Sequence, residues 1–150
     1  GIGGVPFTIG EQALAAGGEK WKNARPETIM TLPDPVGNGV ERLFLLGSAM
    51  YCSGEKKGAV LAELLLEYAD STTVRLPLRK GIDLDDWYDP KRIMLGNEHR
   101  FRAPDFKEYS LFLVEKKNPH PERRIRRIGV IAHSDSALSI FPAVTLERRK

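Results

Sequence analysis

The sequence predicts an all-β protein, an eight-stranded antiparallel jelly-roll β-sandwich, and three observations carry that prediction. First, between Ala59 and Gly81 the apolar residues Val60, Ala62, Leu64, Leu66 and Tyr68 fall on alternate positions, Asp70 and Ser71 form a turn, and Val74, Leu76 and Leu78 alternate with Thr73, Arg75 and Arg79. Alternation with period two on both sides of a polar turn is the pattern of two antiparallel strands with one buried face. Second, ten prolines and fourteen glycines in 150 residues suit a chain of many turns better than a helical bundle. Third, short strand candidates follow one another along most of the chain, and eight antiparallel strands at this length fit two packed sheets.

The strands are read in order. Val5–Ile9 is short and holds Pro6, which suits an edge position. Gly10–Arg25 is a polar, glycine-containing loop carrying Trp21, and Thr28–Leu32 is the second strand. The cluster Pro33-Asp34-Pro35-Val36-Gly37-Asn38-Gly39 is a turn. Glu41–Cys52 is long and apolar on both faces, so it is expected at the centre of a sheet, and Ser53–Gly58 connects it tightly to Ala59–Ala69. The alanine, leucine and glutamate content of Ala59–Ala69 favours helix by propensity. The uniform apolar character of its even positions decides for strand. Thr72–Leu78 follows, and Lys80–Glu108 has no clean period and reads as a long excursion of loops, the kind of segment that carries function. Tyr109–Lys116 is a strand, broken by Asn118-Pro119-His120-Pro121. In Ile125–His133 the two isoleucines Ile125 and Ile128 have odd spacing, so a β-bulge near Arg126 and Arg127 is expected, with both arginines outward. Ser134–Ala137 is a turn and Leu138–Glu147 is the last strand.

Length places all 150 residues in one domain. A domain of this size buries roughly 70% of its unfolded surface and holds together without disulfide or metal. Because the chain begins at Gly1, it reads as processed or excised from something longer. No run approaches ~18 apolar residues, so no transmembrane helix is expected. The net charge is only +3. The excess sits late, in Arg123, Arg124, Arg126, Arg127, Arg148, Arg149 and Lys150. That run is either a solvated strand face or a nucleic-acid surface. Binding of nucleic acid is disfavoured, because the region lacks interleaved aromatics. The single cysteine, Cys52, reads as a small buried apolar group and leaves the compartment open.

A set of landmarks runs along the chain in order: Gly4-Val5-Pro6-Phe7, Arg42-Leu43-Phe44-Leu45-Leu46, Tyr68-Ala69-Asp70 leading into Val74-Arg75-Leu76-Pro77-Leu78, Gly81-Ile82 with Asp86-Trp87, Asn118-Pro119 before Ile125-Arg126-Arg127-Ile128, and Ala143-Val144-Thr145-Leu146. In these the chain resembles the galactose-binding-domain-like β-sandwiches that serve as accessory modules of bacterial carbohydrate-active proteins. Two positions depart from the pattern: Lys116 stands where an aromatic is expected, and Ser71 where a glycine is expected. The resemblance implies a jelly roll with a non-catalytic, sugar-binding role, any catalysis lying on another domain of a parent protein, and a secreted or periplasmic setting.

The chemistry-bearing residues gather in the long excursion. A sugar ring offers a flat C–H face, on which an aromatic ring stacks, and a rim of hydroxyls, which carboxylates, amides and guanidinium groups bond. Trp87 and Tyr88 supply rings, and Asp86, Asn97, Arg100 and Arg102 supply polar groups for the rim, with His99 nearby. The bland alternative has Trp87 plugging the sandwich end and Asp85 and Asp86 as solvated turn residues. Asp83, Asp85 and Asp89 are weak candidates for a structural calcium, though the run has neither the sixth-position glycine nor the closing glutamate of an EF-hand loop. Otherwise no cofactor is expected.

Enzymatic constellations fail on geometry. Glu63 and Glu67 on one strand lie roughly 13 Å apart, too far for a glycosidase pair. His133-Ser134-Asp135-Ser136 is a run of neighbours whose side chains diverge, unlike a catalytic triad. His99, His120 and His133 lack metal-site spacing, and Gly1-Ile2-Gly3-Gly4 precedes any strand, so it is no dinucleotide loop. The expected function is therefore carbohydrate binding without catalysis. The alternative is a structural or protein-interaction sandwich that packs on a neighbouring domain or self-associates, with the face bearing Arg75, Arg124, Arg126 and Arg127 meeting an acidic partner.

Overall fold

Alternation along Val60–Tyr68 resolves the competition between helix propensity and period two. In the structure, a computed structural model that describes residues 4, 13–21, 24–88 and 94–150, this segment is a strand whose Ala62, Leu64, Leu66 and Tyr68 are all fully buried. A helix would spread those four side chains around its axis, whereas a strand turns them to one face.

Nine strands and no helix occur among the described residues: β1 (Leu14–Gly17), β2 (Glu27–Thr31), β3 (Val40–Met50), β4 (Val60–Tyr68), β5 (Thr73–Arg79), β6 (Glu98–Arg102), β7 (Glu108–Lys117), β8 (Ile125–Ala132) and β9 (Leu138–Arg148). They form two antiparallel sheets, ordered β1-β9-β3-β7-β6 and β2-β8-β4-β5. Packed face to face, they enclose a core that includes Leu43 and Leu45 of β3, Leu64 and Leu66 of β4, Phe112 and Val114 of β7, and Ile128 and Val130 of β8. The protein is an all-β sandwich.

The strand count differs from eight. Seven expected strands are present within a residue or two of their expected ends, and β3 lies centrally as its two apolar faces require. Val5–Ile9 lies outside the described residues. Two strands are additional. β1 falls inside the expected loop Gly10–Arg25, and β6 inside the excursion Lys80–Glu108. Neither Leu-Ala-Ala-Gly nor Glu-His-Arg-Phe-Arg has a strand signature of its own. Each is extended because it adds to an edge, Leu14↔Phe141 through Gly17↔Leu138 for β1, and Glu98↔Phe112 through Arg102↔Glu108 for β6.

The odd spacing of Ile125 and Ile128 is resolved by a bulge. Glu67 pairs with Arg127 and Tyr68 with Ile125, so Arg126 is the extra residue. Both isoleucines are fully buried and both arginines reach the Glu67 carboxylate, Arg126 at 2.8 Å. The hydrogen bond from Arg126 holds the Glu67 carboxyl below its ordinary range, with the charge of Arg127 acting in the same direction.

At the far end of β4 the Tyr68 hydroxyl donates to Asn118 Oδ1 at 2.6 Å, and Asn118 Nδ2 donates to the carbonyls of Val40 (2.7 Å) and His120 (3.2 Å). Asn118 thereby ties the turn after β7 to the start of β3. Tyr68→Phe is expected to cost about 1 kcal/mol in urea unfolding with the strand register intact; an unchanged midpoint would show that the hydroxyl contributes nothing.

Strand directions place the connections. β1–β2, β3–β4, β5–β6, β6–β7 and β8–β9 all leave or enter at one end, where Gly17 and Met50 both pair with Leu138 and Ala62 pairs with Ala132. The long excursion crosses between the sheets there. No helix among the described residues is long and apolar enough to cross a membrane.

Candidate functional site

β3 and β7 are paired from Arg42↔Lys117 to Gly47↔Phe112 and then part. The segment Asp85–Trp87 enters the gap. Ala49 N donates to Asp85 O (3.2 Å), Trp87 N to Ala49 O (2.8 Å) and Ser110 N to Trp87 O (2.8 Å), so the segment is bonded to both strands. Backbone wedged in this way fixes where the Trp87 ring emerges.

The ring emerges against Tyr109. Their centroids are 4.4 Å apart, with Tyr88 at 5.5 Å and Phe101 at 6.0 Å from the same tyrosine. Tyr109 and Phe101 are opposite one another on β7 and β6, on the face turned away from the core. The Tyr109 hydroxyl donates to Asp105 Oδ2 at 2.6 Å, which raises the tyrosine's pKa and lowers that of the aspartate. Lys107 Nζ stands 5.5 Å from the Tyr88 ring centroid. Trp87 and Tyr88 stay 37% and 43% exposed. With Tyr51, Ser53, Asp86 and Tyr109 they line an open cleft of about 460 Å³. Tyr51 in turn packs on Trp21 at 4.7 Å, and Trp21 is held by its Nε1 donating to Ser136 O at 2.8 Å.

Beneath the cleft, Asp85 and Asp86 are buried rather than solvated, each 7% exposed. Asp86 Oδ1 accepts from Tyr88 N (3.0 Å), and Oδ2 accepts from Cys52 N (3.2 Å) and the Cys52 thiol (3.8 Å). Asp85 Oδ1 accepts from Asp86 N (2.8 Å) and stands 3.9 Å from the thiol. Cys52 is thus fully buried, yet its sulfur contacts two carboxylates. Burial, then the charges of Asp86 and Asp85, push its pKa up to about 12. A thiol kept protonated is a poor nucleophile. Its role here is to bridge the β3–β4 connection and the aromatic segment.

The other sequence candidates are dispersed. Asn97 uses its amide to clamp Asp83 O (2.7 Å) and Leu113 O (3.0 Å). Arg100 and Arg102 alternate with Phe101 along β6 and so lie on the opposite face of the sheet. Arg100 bonds the buried Glu98 carboxylate at 3.2 Å, and Arg102 faces Glu108 at 3.8 Å. Of the calcium candidates, Asp83 accepts from Lys116 Nζ (2.7 Å) and Arg79 N (2.8 Å), Asp85 holds Asp86 N and Cys52, and Asp89 lies outside the described residues. Among the described residues no group of three or more histidine, cysteine, aspartate or glutamate side chains could hold a metal ion. The late arginines have local partners: Arg124 pairs with Asp34 (3.2 Å), Arg126 and Arg127 with Glu67, and Arg75 faces Glu63 (3.8 Å).

Tyr109, Tyr51 and Phe101 were not legible as site residues. Tyr109 and Tyr51 read as strand termini, and Phe101 reads as one apolar residue among charges. The available signal was parity: Tyr109 has the opposite parity to the buried Ser110 and Phe112 and so faces outward. The chain matches no protein-family model, no curated protein and no solved structure.

Proposed function

We propose that the protein is a non-catalytic carbohydrate-binding or accessory module. The observation that carries this reading is the exposed Trp87 ring, braced by Tyr109 and flanked by Tyr88 and Tyr51 in an open cleft. Rings held by neighbouring rings and by wedged backbone lose little entropy when a sugar face stacks on them. The tyrosine hydroxyls and Ser53 supply groups for the sugar's rim. Relative to the residue set expected from sequence, Trp87, Tyr88 and Asp86 remain at the site, Tyr109 and Tyr51 join it, and Asn97, Arg100 and Arg102 belong to the frame.

The strand order supports the finer fold assignment. With β6 set aside, β1-β9-β3-β7 packed on β2-β8-β4-β5 is the order expected of a jelly roll, an architecture that lectins also use. The galactose-binding-like resemblance is compatible with that order.

The test is calorimetric titration with neutral and acidic polysaccharides, on the parent and on Trp87→Ala. Loss of the indole is expected to weaken binding about tenfold or more. Absence of binding at millimolar sugar, or a Trp87→Ala variant equal to the parent, removes the reading.

A second reading, a protein-interaction sandwich, is favoured by one observation. Strand β2 is the edge of its sheet among the described residues, and its Ile29 and Met30 are exposed. An oligomer in light scattering that dissociates on Met30→Lys would support it.

A further inference from the structure

Two residues of the aromatic end share a pair of features. Tyr51 and Phe106 hold positive φ, 57° and 64°. They are also the two most exposed large apolar side chains among the described residues, at 63% and 82%. In the left-handed region a Cβ crowds the following carbonyl, so glycine or asparagine is the favoured occupant. The third such non-glycine residue, Ser71, sits in the short β4–β5 turn at the opposite end and is polar. Among the described residues, only at the aromatic end does the strained backbone carry a ring into solvent.

Both rings are presented by ordered backbone. Tyr51 lies between the end of β3 and Cys52, whose N–H is held by Asp86, and its ring lines the cleft and packs on Trp21. Phe106 tops the β6–β7 turn. Its N–H donates to Ala103 O (2.9 Å), Ala103 N donates to Lys107 O (3.0 Å), and Lys107 N donates to Asp105 Oδ1 (3.0 Å). The same Asp105 holds the Tyr109 hydroxyl, and the same Lys107 stands over Tyr88. Tyr51 and Phe106 therefore belong to two different connections, both fastened to the Trp87–Tyr88–Tyr109 cluster.

Building on the sugar-site reading above, we infer that Phe106 is an outer subsite beside the cleft that Tyr51 and Trp87 line, and that the ligand is a glycan chain rather than a single sugar. Phe106 is not among the residues lining the cleft, so one sugar stacked on Trp87 leaves it without a contact, whereas a further unit of a chain presents another C–H face to it. Holding the two rings in place before binding reduces the entropy lost when a long ligand is captured. The unfavourable backbone is retained because relaxing it with glycine or asparagine removes the contact.

The experiment pairs Tyr51→Asn and Phe106→Gly, singly and together, with Trp87→Ala. Each is titrated with mono- to hexasaccharide ladders of cello-, xylo- and galacto-oligosaccharides, and each is melted and sized by light scattering. The parent is expected to bind the hexasaccharide of its preferred series more tightly than the monosaccharide. Phe106→Gly should lose about tenfold for the hexasaccharide and nothing for the monosaccharide, whereas Tyr51→Asn, inside the cleft, should weaken both. The melting temperature of each variant should be unchanged or raised by about 2–4 °C. Trp87→Ala should weaken both ligands. Hexasaccharide binding unchanged in Phe106→Gly overturns the inference while leaving the Trp87 site standing. So does a parent that binds both lengths equally. A lowered melting temperature would make the two rings structural. Dissociation of an oligomer without change in glycan affinity would make them a contact between copies. If no ladder binds the parent, the inference falls together with the site.

Discussion

Gly47→Ala is expected to destabilise the fold by about 3 kcal/mol, a fall of roughly 6–12 °C in melting temperature for a chain of this size. The reason is close approach. A Cβ at position 47 would stand 2.3 Å from the Ile140 carbonyl oxygen and 2.3 Å from Cδ1 of Phe141. Gly47 lies where the β3–β9 register shifts, between Leu46↔Ala143 and Ser48↔Ile140, and the Phe141 ring occupies the space that a side chain would need. Shortening the ring in a Gly47→Ala, Phe141→Leu double variant relieves one contact and leaves the carbonyl, so only partial rescue is expected. Gly54→Ala is the control, because a Cβ there meets nothing within 4 Å. It should change stability by less than about 0.5 kcal/mol. The bulge is one residue from Ser48 and two from Ala49, where Asp85–Trp87 dock, so the Gly47 variant should also disturb the near-ultraviolet signal of Trp87. Urea unfolding followed by tryptophan fluorescence measures the first effect; a loss under 1 kcal/mol would show that the sheet yields at this point.

That glycine illustrates what the sequence displays and what it hides. Patterns that repeat along one strand were legible: the alternation in Val60–Tyr68, the apolar faces of β3, and the odd spacing of Ile125 and Ile128 that required a bulge. Each is a local consequence of period two meeting a buried face. Features created by pairing across the sheets were not. β1 is a strand because of β9, far away in sequence, and β6 because of β7, across a turn of five residues. Asp83-Leu84-Asp85-Asp86 reads as a solvated acidic loop. Its last two carboxylates are nevertheless buried, because β3 and β7 part and admit the segment. Trp87 and Tyr88 could be singled out as aromatics in a loop, but the partner that braces them, Tyr109, became visible only through its place opposite Phe101.

Raising the pH from 9 to 12 is expected to remove about 4 kcal/mol of stability through Cys52 alone. The thiol's pKa is pushed from an ordinary 9.0 up to about 12, first by burial, then by the charges of Asp86 and Asp85, against a smaller opposing effect of Lys80. Below pH 9 the thiol is protonated in both folded and unfolded chains, and the whole contribution is present. Between 9 and 12 only the unfolded chain releases the proton, so unfolding is favoured by about 1.4 kcal/mol per pH unit. Above 12 both states are ionised and no further loss occurs. Tyr68, whose pKa burial also raises, acts in the same direction. Its contribution is common to the parent and to Cys52→Ala, so it cancels when their stabilities are subtracted. The difference between the two proteins should be constant up to pH 9 and then shift steadily in favour of the alanine variant. Asp86→Asn removes the second cause and should narrow the window from above. Thiolate absorbance of the folded protein rising with a midpoint near 9 would contradict the buried, carboxylate-facing thiol. The consequence reaches the aromatic cleft: ionised Cys52 would repel the carboxylate that holds both its own N–H and that of Tyr88. If the cleft binds sugar as proposed, the affinity should decline over the same alkaline window, and decline less in the alanine variant.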